Sequence, residues 1–374
     1  MADKFEDAKE RGEKDLDFDR WGRYKLPHPK TGKVQPWTRA TTFAKSISDT
    51  FALSQWSQRM VAKGLTLRPD LVSMAYSLDV KEDKDKLNAL CEDAKAAAGN
   101  KVAANLGTAR HSFSEAVDAG TMSVSDVPEE ARADIQAYVT AMRTAGVSVL
   151  PGMIERQTCV PGFDVAGTLD RVLNLDSIEP WFRTALADAG YSITGNDESL
   201  VIGDVKSGQD LQYGWNEIAI QLLIYALGVR NSGVWNKKTQ SWEPPRPVRL
   251  DFAIVMHMPV GQKTCTLWAL NLAEAMEAME LCRSVRRWRK LRNLAVPLER
   301  VVADSEIGDV QDTNVPHPGQ TVTAGLSWLE RFQTAGSRGE LSALFKAAND
   351  AGVWSDTLKD AGIKRLAILE EKAG

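Results

Sequence analysis

Hydrophobic and polar positions along this chain follow two different periods, and the change from one to the other divides it. Between Thr38 and about Ala145 apolar residues recur at helical spacing, interrupted near Arg68-Pro69, so this stretch is expected to be mostly helical. From Met153 the period shortens to two. MIERQTCV (153–160) alternates, Pro161-Gly162 reads as a turn, and AGTLDRVLNL (166–175) alternates again, which predicts a hairpin. Leu200-Val201-Ile202 is a short apolar run read as a buried strand, closed by Ser207-Gly208. A helix from about Leu211 to Gly228 follows, then a strand pair near Val248–Met258 and Lys263–Leu270, then a long helix at about 272–294. Residues 176–199, with Trp181 and a Gly-Asn-Asp-Glu stretch, read as an insertion at the tip of the hairpin. The expected fold class is α/β, a mixed central sheet flanked by helices.

The ends are patterned differently. Residues 1–35 are expected to be flexible, with Pro27 to Lys33 as a turn-rich loop. Residues 303–322 are acidic, Pro-bearing and unpatterned, as linkers are. Beyond them 326–332, 339–351 and 354–371 predict a small helical module with an apolar stripe through Leu341, Leu344 and Phe345. The division is therefore a flexible segment (1–35), a helical region (36–150), a core (151–297), a linker (298–324) and a C-terminal helical module (325–374). The last carries no catalytic constellation and is expected to contact a protein partner or position a substrate.

With 374 residues, 43% of them hydrophobic, the chain can bury one sizeable core. No apolar run approaches membrane-spanning length and the N-terminus has mixed charge, so a soluble, cytoplasmic protein without a membrane partner is expected. The formal net charge of -4 argues against a uniformly basic surface, but Arg283, Arg286, Arg287, Arg289, Lys290 and Arg292 crowd into one helix-like segment around Trp288. Such a cluster can track a phosphate backbone while the indole stacks on a base. It also reads as a solvated face whose Leu281, Val285, Trp288 and Leu291 pack inward, and both readings can hold.

Chemistry concentrates at strand ends. Asp-x-Lys recurs in the chain, as at Asp7-Ala8-Lys9 and Asp93-Ala94-Lys95 in helix-like surroundings, but only Asp204-Val205-Lys206 follows a buried-strand pattern. Alternation there aims Asp204 and Lys206 at one side of the sheet. Asp170, on the preceding predicted strand, offers a second carboxylate. Two carboxylates can hold a hard divalent cation, and a lysine adds a positive charge for a water or a phosphate. The competing readings are a surface ion pair at Asp204–Lys206 and an Asp170–Arg171 pair neutralised on a sheet surface. His111 and Glu115 share a helix face; the imidazole is either a third ligand, which tilts the preference towards Mn²⁺ as well as Mg²⁺, or a solvated residue. Gln221 and Tyr225 share another face, with Glu217 one turn earlier, and can donate to phosphate oxygens or a bound water. Alternatively Gln221 faces solvent while Ile218, Leu222 and Leu223 pack on the sheet.

Gly-x-x-x-His (107–111), Gly-x-x-Asp-Arg (167–171), Asp-x-Lys-Ser-Gly (204–208) and Gln-x-x-x-Tyr (221–225), in this order, resemble the PD-(D/E)xK nuclease superfamily, more narrowly its RecB-like, Cas4-like exonuclease branch. The resemblance spans Gly107 to Tyr225 and extends loosely to Trp37–Phe43 and Ala52–Trp56. It implies a restriction-endonuclease-like core and an exonuclease on single-stranded or end-containing DNA, in recombination, replication or repair, of phage or mobile-element type. It makes His111, Asp170, Asp204 and the Val205 carbonyl ligands of Mg²⁺ or Mn²⁺, Lys206 the catalytic lysine, and Gln221 with Tyr225 the supporting pair. Many relatives carry an iron–sulfur cluster on one cysteine before the core and three close together after it. Cys91, Cys159, Cys265 and Cys282 form no such group, so no cluster is expected, and Cys159 and Cys265 read as buried, reduced residues. A structure-specific or restriction-type endonuclease on the same fold, and a binding protein that does not cut, are the alternatives. The second predicts loss of a ligand or of the lysine, and neither is lost.

Overall fold

The computed structural model of the chain describes residues 18–193, 199–292, 294–295, 328–350 and 355–371. The predicted linker at 303–322 and the Gly-Asn-Asp-Glu stretch lie outside them, as do residues 1–17 of the N-terminal segment. Two compact units divide the chain, Met1–Arg286 and Arg287–Gly374.

The first unit is built on a mixed sheet that confirms the coarse α/β expectation. Its strands are β1 (Tyr24–Pro27), β2 (Val34–Arg39), β3 (Ser148–Val160), β4 (Val165–Asn174), β5 (Leu200–Lys206), β6 (Val234–Asn236), β7 (Ser241–Glu243), β8 (Phe252–His257) and β9 (Thr266–Asn271). They lie in the order β7-β6-β3-β4-β5-β8-β9, and β2 adds a short parallel pairing to β4. β3, β4 and β5 form an antiparallel meander, as the alternation predicts, and β5 then pairs parallel with β8. Apolar Leu200-Val201-Ile202 suits β5 because this strand is covered on both faces, by one cluster containing Ile202 and another containing Val201 and Val205.

The helices are α1 (Ala40–Ala44), α2 (Phe51–Leu67), α3 (Pro69–Tyr76), α4 (Lys84–Ala97), α5 (Asn100–Asp118), α6 (Glu129–Ala145), α7 (Pro180–Asp188), α8 (Trp215–Asn231) and α9 (Ala275–Trp288). The break between α2 and α3 falls at Arg68, where Pro69 starts a new helix. α7 occupies the predicted insertion between β4 and β5. α8 buries nearly every residue from Ile218 to Val229 and lies in the sheet's main core. It begins four residues later than its pattern suggests, because Asp210 Oδ1 accepts the Gln212 N–H at 2.7 Å and holds the preceding segment in a turn.

Two expectations need correction. The segment before residue 35 is not wholly flexible: β1 pairs antiparallel with β2, and Trp37, fully buried, donates Nε1–H to the Leu26 carbonyl at 2.8 Å. Burial of that indole against Tyr24 and Leu26 orders a stretch whose own pattern is too short to be read. α9 also turns a different face inward from the one its spacing suggests. Ala275, Met279 and Cys282 are buried, whereas Leu281, Trp288 and Leu291 are exposed.

In the second unit α10 (Trp328–Thr334), α11 (Arg338–Asp350) and α12 (Asp356–Glu371) enclose a small core of Phe332, Ala335, Leu341, Ala348, Leu358 and Ala361. Leu344 packs against it, while Phe345 is half exposed. Among the described residues no helix is long and apolar enough to cross a membrane.

Candidate active site

The four motifs meet around the junction of α5, β4, β5 and α8. Two glycines let them approach. A Cβ on Gly107 would lie 2.6 Å from Ser207 Oγ, and one on Gly167 would lie 2.5 Å from Tyr225 Cε1. The glycine that opens each of these two motifs thus clears space for a side chain of another, Ser207 beside the His111 helix and Tyr225 beside the Asp170 strand.

β4 carries Asp170 and Arg171 as neighbours with separate tasks. Arg171 is fully buried; its Nε lies 3.3 Å from Asp118 Oδ2, Nη1 donates to Tyr138 Oη at 3.2 Å and Nη2 to Ser114 Oγ at 3.3 Å. Tyr138 in turn donates to Asp118 at 2.7 Å. This network ties β4 to α5 and α6, and it replaces the expectation of an Asp170–Arg171 pair on a sheet surface. A second buried pair, Arg110–Asp134 at 2.6 Å, locks α5 to α6, and Asp134 also accepts the Gly261 and Lys263 N–H groups. The helix that presents His111 is therefore anchored on both sides of the imidazole.

Asp170 Oδ2 accepts the Val205 N–H at 2.9 Å and lies 3.5 Å from His111 Nδ1. Burial opposes its ionisation, but the charges of His111, Lys206 and Arg171, with the Val205 N–H, outweigh it and hold the carboxyl below its ordinary value. Burial lowers the pKa of His111, against the pull of Asp170, and so favours the neutral imidazole that a metal ligand requires.

Asp204 is 1% exposed and forms an ion pair with Lys206. Apart from that pair, neither of its carboxylate oxygens has a hydrogen-bond partner. Burial, then repulsion from Asp170, pushes its pKa up to about 6. Lys206 is shifted upward: burial disfavours its charge, yet Asp204 and Asp170 more than compensate, so it stays an ammonium. Alternation on β5 does place both side chains together, as read from the sequence.

Gln221 is half buried rather than turned to solvent, and its Nε2 donates to Tyr225 Oη at 3.0 Å. Tyr225 is shifted well up by burial, then by Tyr24, Asp204 and Asp170, and it remains a neutral phenol. Among the described residues no three His, Cys, Asp or Glu side chains stand in a ready metal-binding arrangement. The donors brought together are two carboxylates, one of them short of partners, beside an imidazole.

Sequence reasoning overlooked Glu155. It sits just past the register shift between Val149 and Ile154 in β3, at φ 49°, which turns its carboxyl towards Glu115. Partial desolvation of its carboxyl, then repulsion from Glu115 and Asp170, shifts it upward, and the solvent that still reaches this exposed residue screens the repulsion. Glu115 shifts the same way, from burial and from Asp170. A bulge in a strand of the correct period leaves no trace in hydrophobic alternation, so nothing in the pattern marks Glu155.

The basic cluster is partly engaged within the protein. Arg283 pairs with Glu280 at 2.5 Å and lies over Phe163, while Arg286 donates to Thr38 Oγ1 at 3.1 Å and lies over Phe43. Arg287, Arg289, Lys290, Arg292 and Trp288 are exposed. The four cysteines are free thiols, with Cys159 and Cys282 buried and Cys91 and Cys265 half buried.

Compared with models of known protein families and with curated proteins, the sequence matches none.

Proposed function

We propose that the chain is a metal-dependent deoxyribonuclease with a restriction-endonuclease-like core, acting as an exonuclease on single-stranded or end-containing DNA. One observation carries this reading: Asp170 is bonded to the peptide between Asp204 and Lys206, and Asp204 is a buried carboxylate with no hydrogen-bond donor but the lysine. An anion held so short of partners is costly unless a cation joins it. The succession of α5 and α6, the β3–β4–β5 meander, α8 and parallel β8 supports the core assignment.

Asp170 and Asp204 would hold Mg²⁺ or Mn²⁺, with His111 and the Val205 carbonyl as further donors. Magnesium is commonly held by one or two carboxylates and completed by water and substrate phosphate, which fits a pair of acids better than a closed protein cage. When bound, the ion supplies a more acidic attacking water and neutralises charge on the scissile phosphate.

The side chains supply the rest. Lys206 is a fixed cation that can hold a phosphate oxygen or orient the water, and its raised pKa excludes it as a base. His111 stands 3.5 Å from Asp170 on the helix side, within reach of a cation held by that carboxylate. Gln221 and Tyr225 are neutral donors next to the carboxylates and can bind phosphate oxygens without disturbing the local charge. The exonuclease assignment rests on the His111 and Gln-x-x-x-Tyr likeness. Asp204→Ala and Lys206→Ala should each abolish phosphodiester cleavage and leave DNA affinity within severalfold; near-normal turnover in either would place the site elsewhere.

A further inference from the structure

On the other side of β3 from β4, a cavity of about 640 Å³ opens between the β1–β2 loop and the β6–β7 hairpin. Its size is that of small-molecule sites. Trp235 and Trp242 stand in its wall with their rings 5.5 Å apart, and Trp242 Nε1–H donates to the Pro27 carbonyl at 3.1 Å, which fixes that indole. Lys25 and Lys237, both exposed, stand on its rim. Gln157 lines it too, 3% exposed, and among the described residues no hydrogen bond engages its side-chain amide. Its amide opens on the cavity, which leaves two donors and an acceptor available to an occupant.

We propose that this cavity binds a base of a single-stranded nucleic acid. The inference rests on the nuclease reading and gives that site a strand-holding subsite. Indole walls offer π-stacking surface, an amide with two donors and a carbonyl matches the mixed edge of a nucleobase, and rim lysines meet the flanking phosphates. The location fits as well. Gln157 is the cross-strand partner of Thr168, two residues before Asp170 on β4, and Thr168 Oγ1 shares a 3.0 Å hydrogen bond with Tyr24 Oη of β1. A base seated there lies beside the strand that presents the first catalytic carboxylate. The lysines stand beside an aromatic wall that is of little use to a bare anion.

The test is binding without cleavage: fluorescence anisotropy of a labelled 12-nucleotide oligothymidylate, without divalent ions, on the full chain carrying Asp204→Ala. An abasic oligomer of equal length keeps the phosphates and removes the bases. The oligothymidylate should bind about tenfold or more tighter than the abasic oligomer. Trp242→Ala and Gln157→Leu should collapse that gap, and Lys25→Glu with Lys237→Glu, on the exposed rim, should lower affinity and reduce the salt slope by about 1.4. Equal binding of the two oligomers, or a gap unchanged in Trp242→Ala and an unchanged salt slope in the lysine variant, overturns the proposal and leaves the nuclease reading standing. Base-dependent binding that the variants abolish, in a protein whose wild type cuts no DNA, supports the subsite and defeats the nuclease reading alone.

Discussion

The backbone N–H of Val205 donates to Asp170 Oδ2 at 2.9 Å, so the peptide between Asp204 and Lys206 is itself what fixes the first carboxylate. Two strands that alternation alone would only lay side by side are thereby set in register at their chemical ends. The bond also separates the two acids electrostatically. Asp170 is held below its ordinary pKa, while Asp204, with no such donor, rises to about 6.

That asymmetry has a pH signature. Asp204 keeps its proton more tightly folded than unfolded, so its stabilising contribution is complete below its ordinary value of 3.8 and is lost as pH rises through about 6. A shift of this size corresponds to about 3 kcal/mol. Urea unfolding of Asp204→Asn between pH 4 and 7 should lack a fall of that order which the wild type shows. Parallel curves for the two proteins would mean that Asp204 is not the strained acid.

Divalent ions should reverse the penalty. Above pH 6 Asp204 is ionised, and Mg²⁺ or Mn²⁺ at a hundred times its dissociation constant should stabilise the wild type by about 2.7 kcal/mol, an effect that chelator removes. The increase in melting temperature should shrink as pH falls below 6, because binding must then displace a proton. Asp170→Ala and Asp204→Ala should show no increase, which differential scanning fluorimetry can read without any substrate.

Arg171 is predicted to act through folding. Breaking a buried ion pair by removing one partner costs about 3–5 kcal/mol, and Arg171→Met leaves Asp118 in a largely buried site. The exposed Arg68–Asp70 pair is the internal control: solvent screens it, and Arg68→Ala should leave the unfolding midpoint nearly unchanged. Chemical denaturation of both variants distinguishes them.

Gly167 and Tyr225 should be energetically coupled. Gly167→Ala forces its new methyl against the phenol ring and should cost about 1–3 kcal/mol. The same change made in Tyr225→Ala should cost measurably less, and a double-mutant cycle reports the difference. Strict additivity would show that the close approach is not what requires the glycine.

Much of this site could be read in the chain because its information is local. Strand alternation fixed the common side of Asp204 and Lys206, and four-residue spacing fixed the shared faces of His111 with Glu115 and of Gln221 with Tyr225. What escaped depends on contacts across the fold. Glu155 comes to Glu115 through a bulge, Arg171 turns inward because α5 and α6 offer Asp118, Ser114 and Tyr138, and β2 docks on β4 over more than a hundred residues of chain. The inward face of α9 was misread for the same reason: Leu281, Trp288 and Leu291 have helical spacing, but the sheet's core receives Met279 and Cys282. Apolar spacing identifies a face, and only the neighbouring layer decides whether it is used.

The central claim is tested most directly by the fate of two labelled substrates in Mg²⁺ or Mn²⁺, an end-labelled linear single strand and a covalently closed single-stranded circle. Wild type should degrade the linear strand from its end and spare the circle, and Asp204→Ala should leave both intact. Cleavage of the circle would contradict the exonuclease, and undiminished degradation by Asp204→Ala, or none by the wild type, would contradict the active site itself.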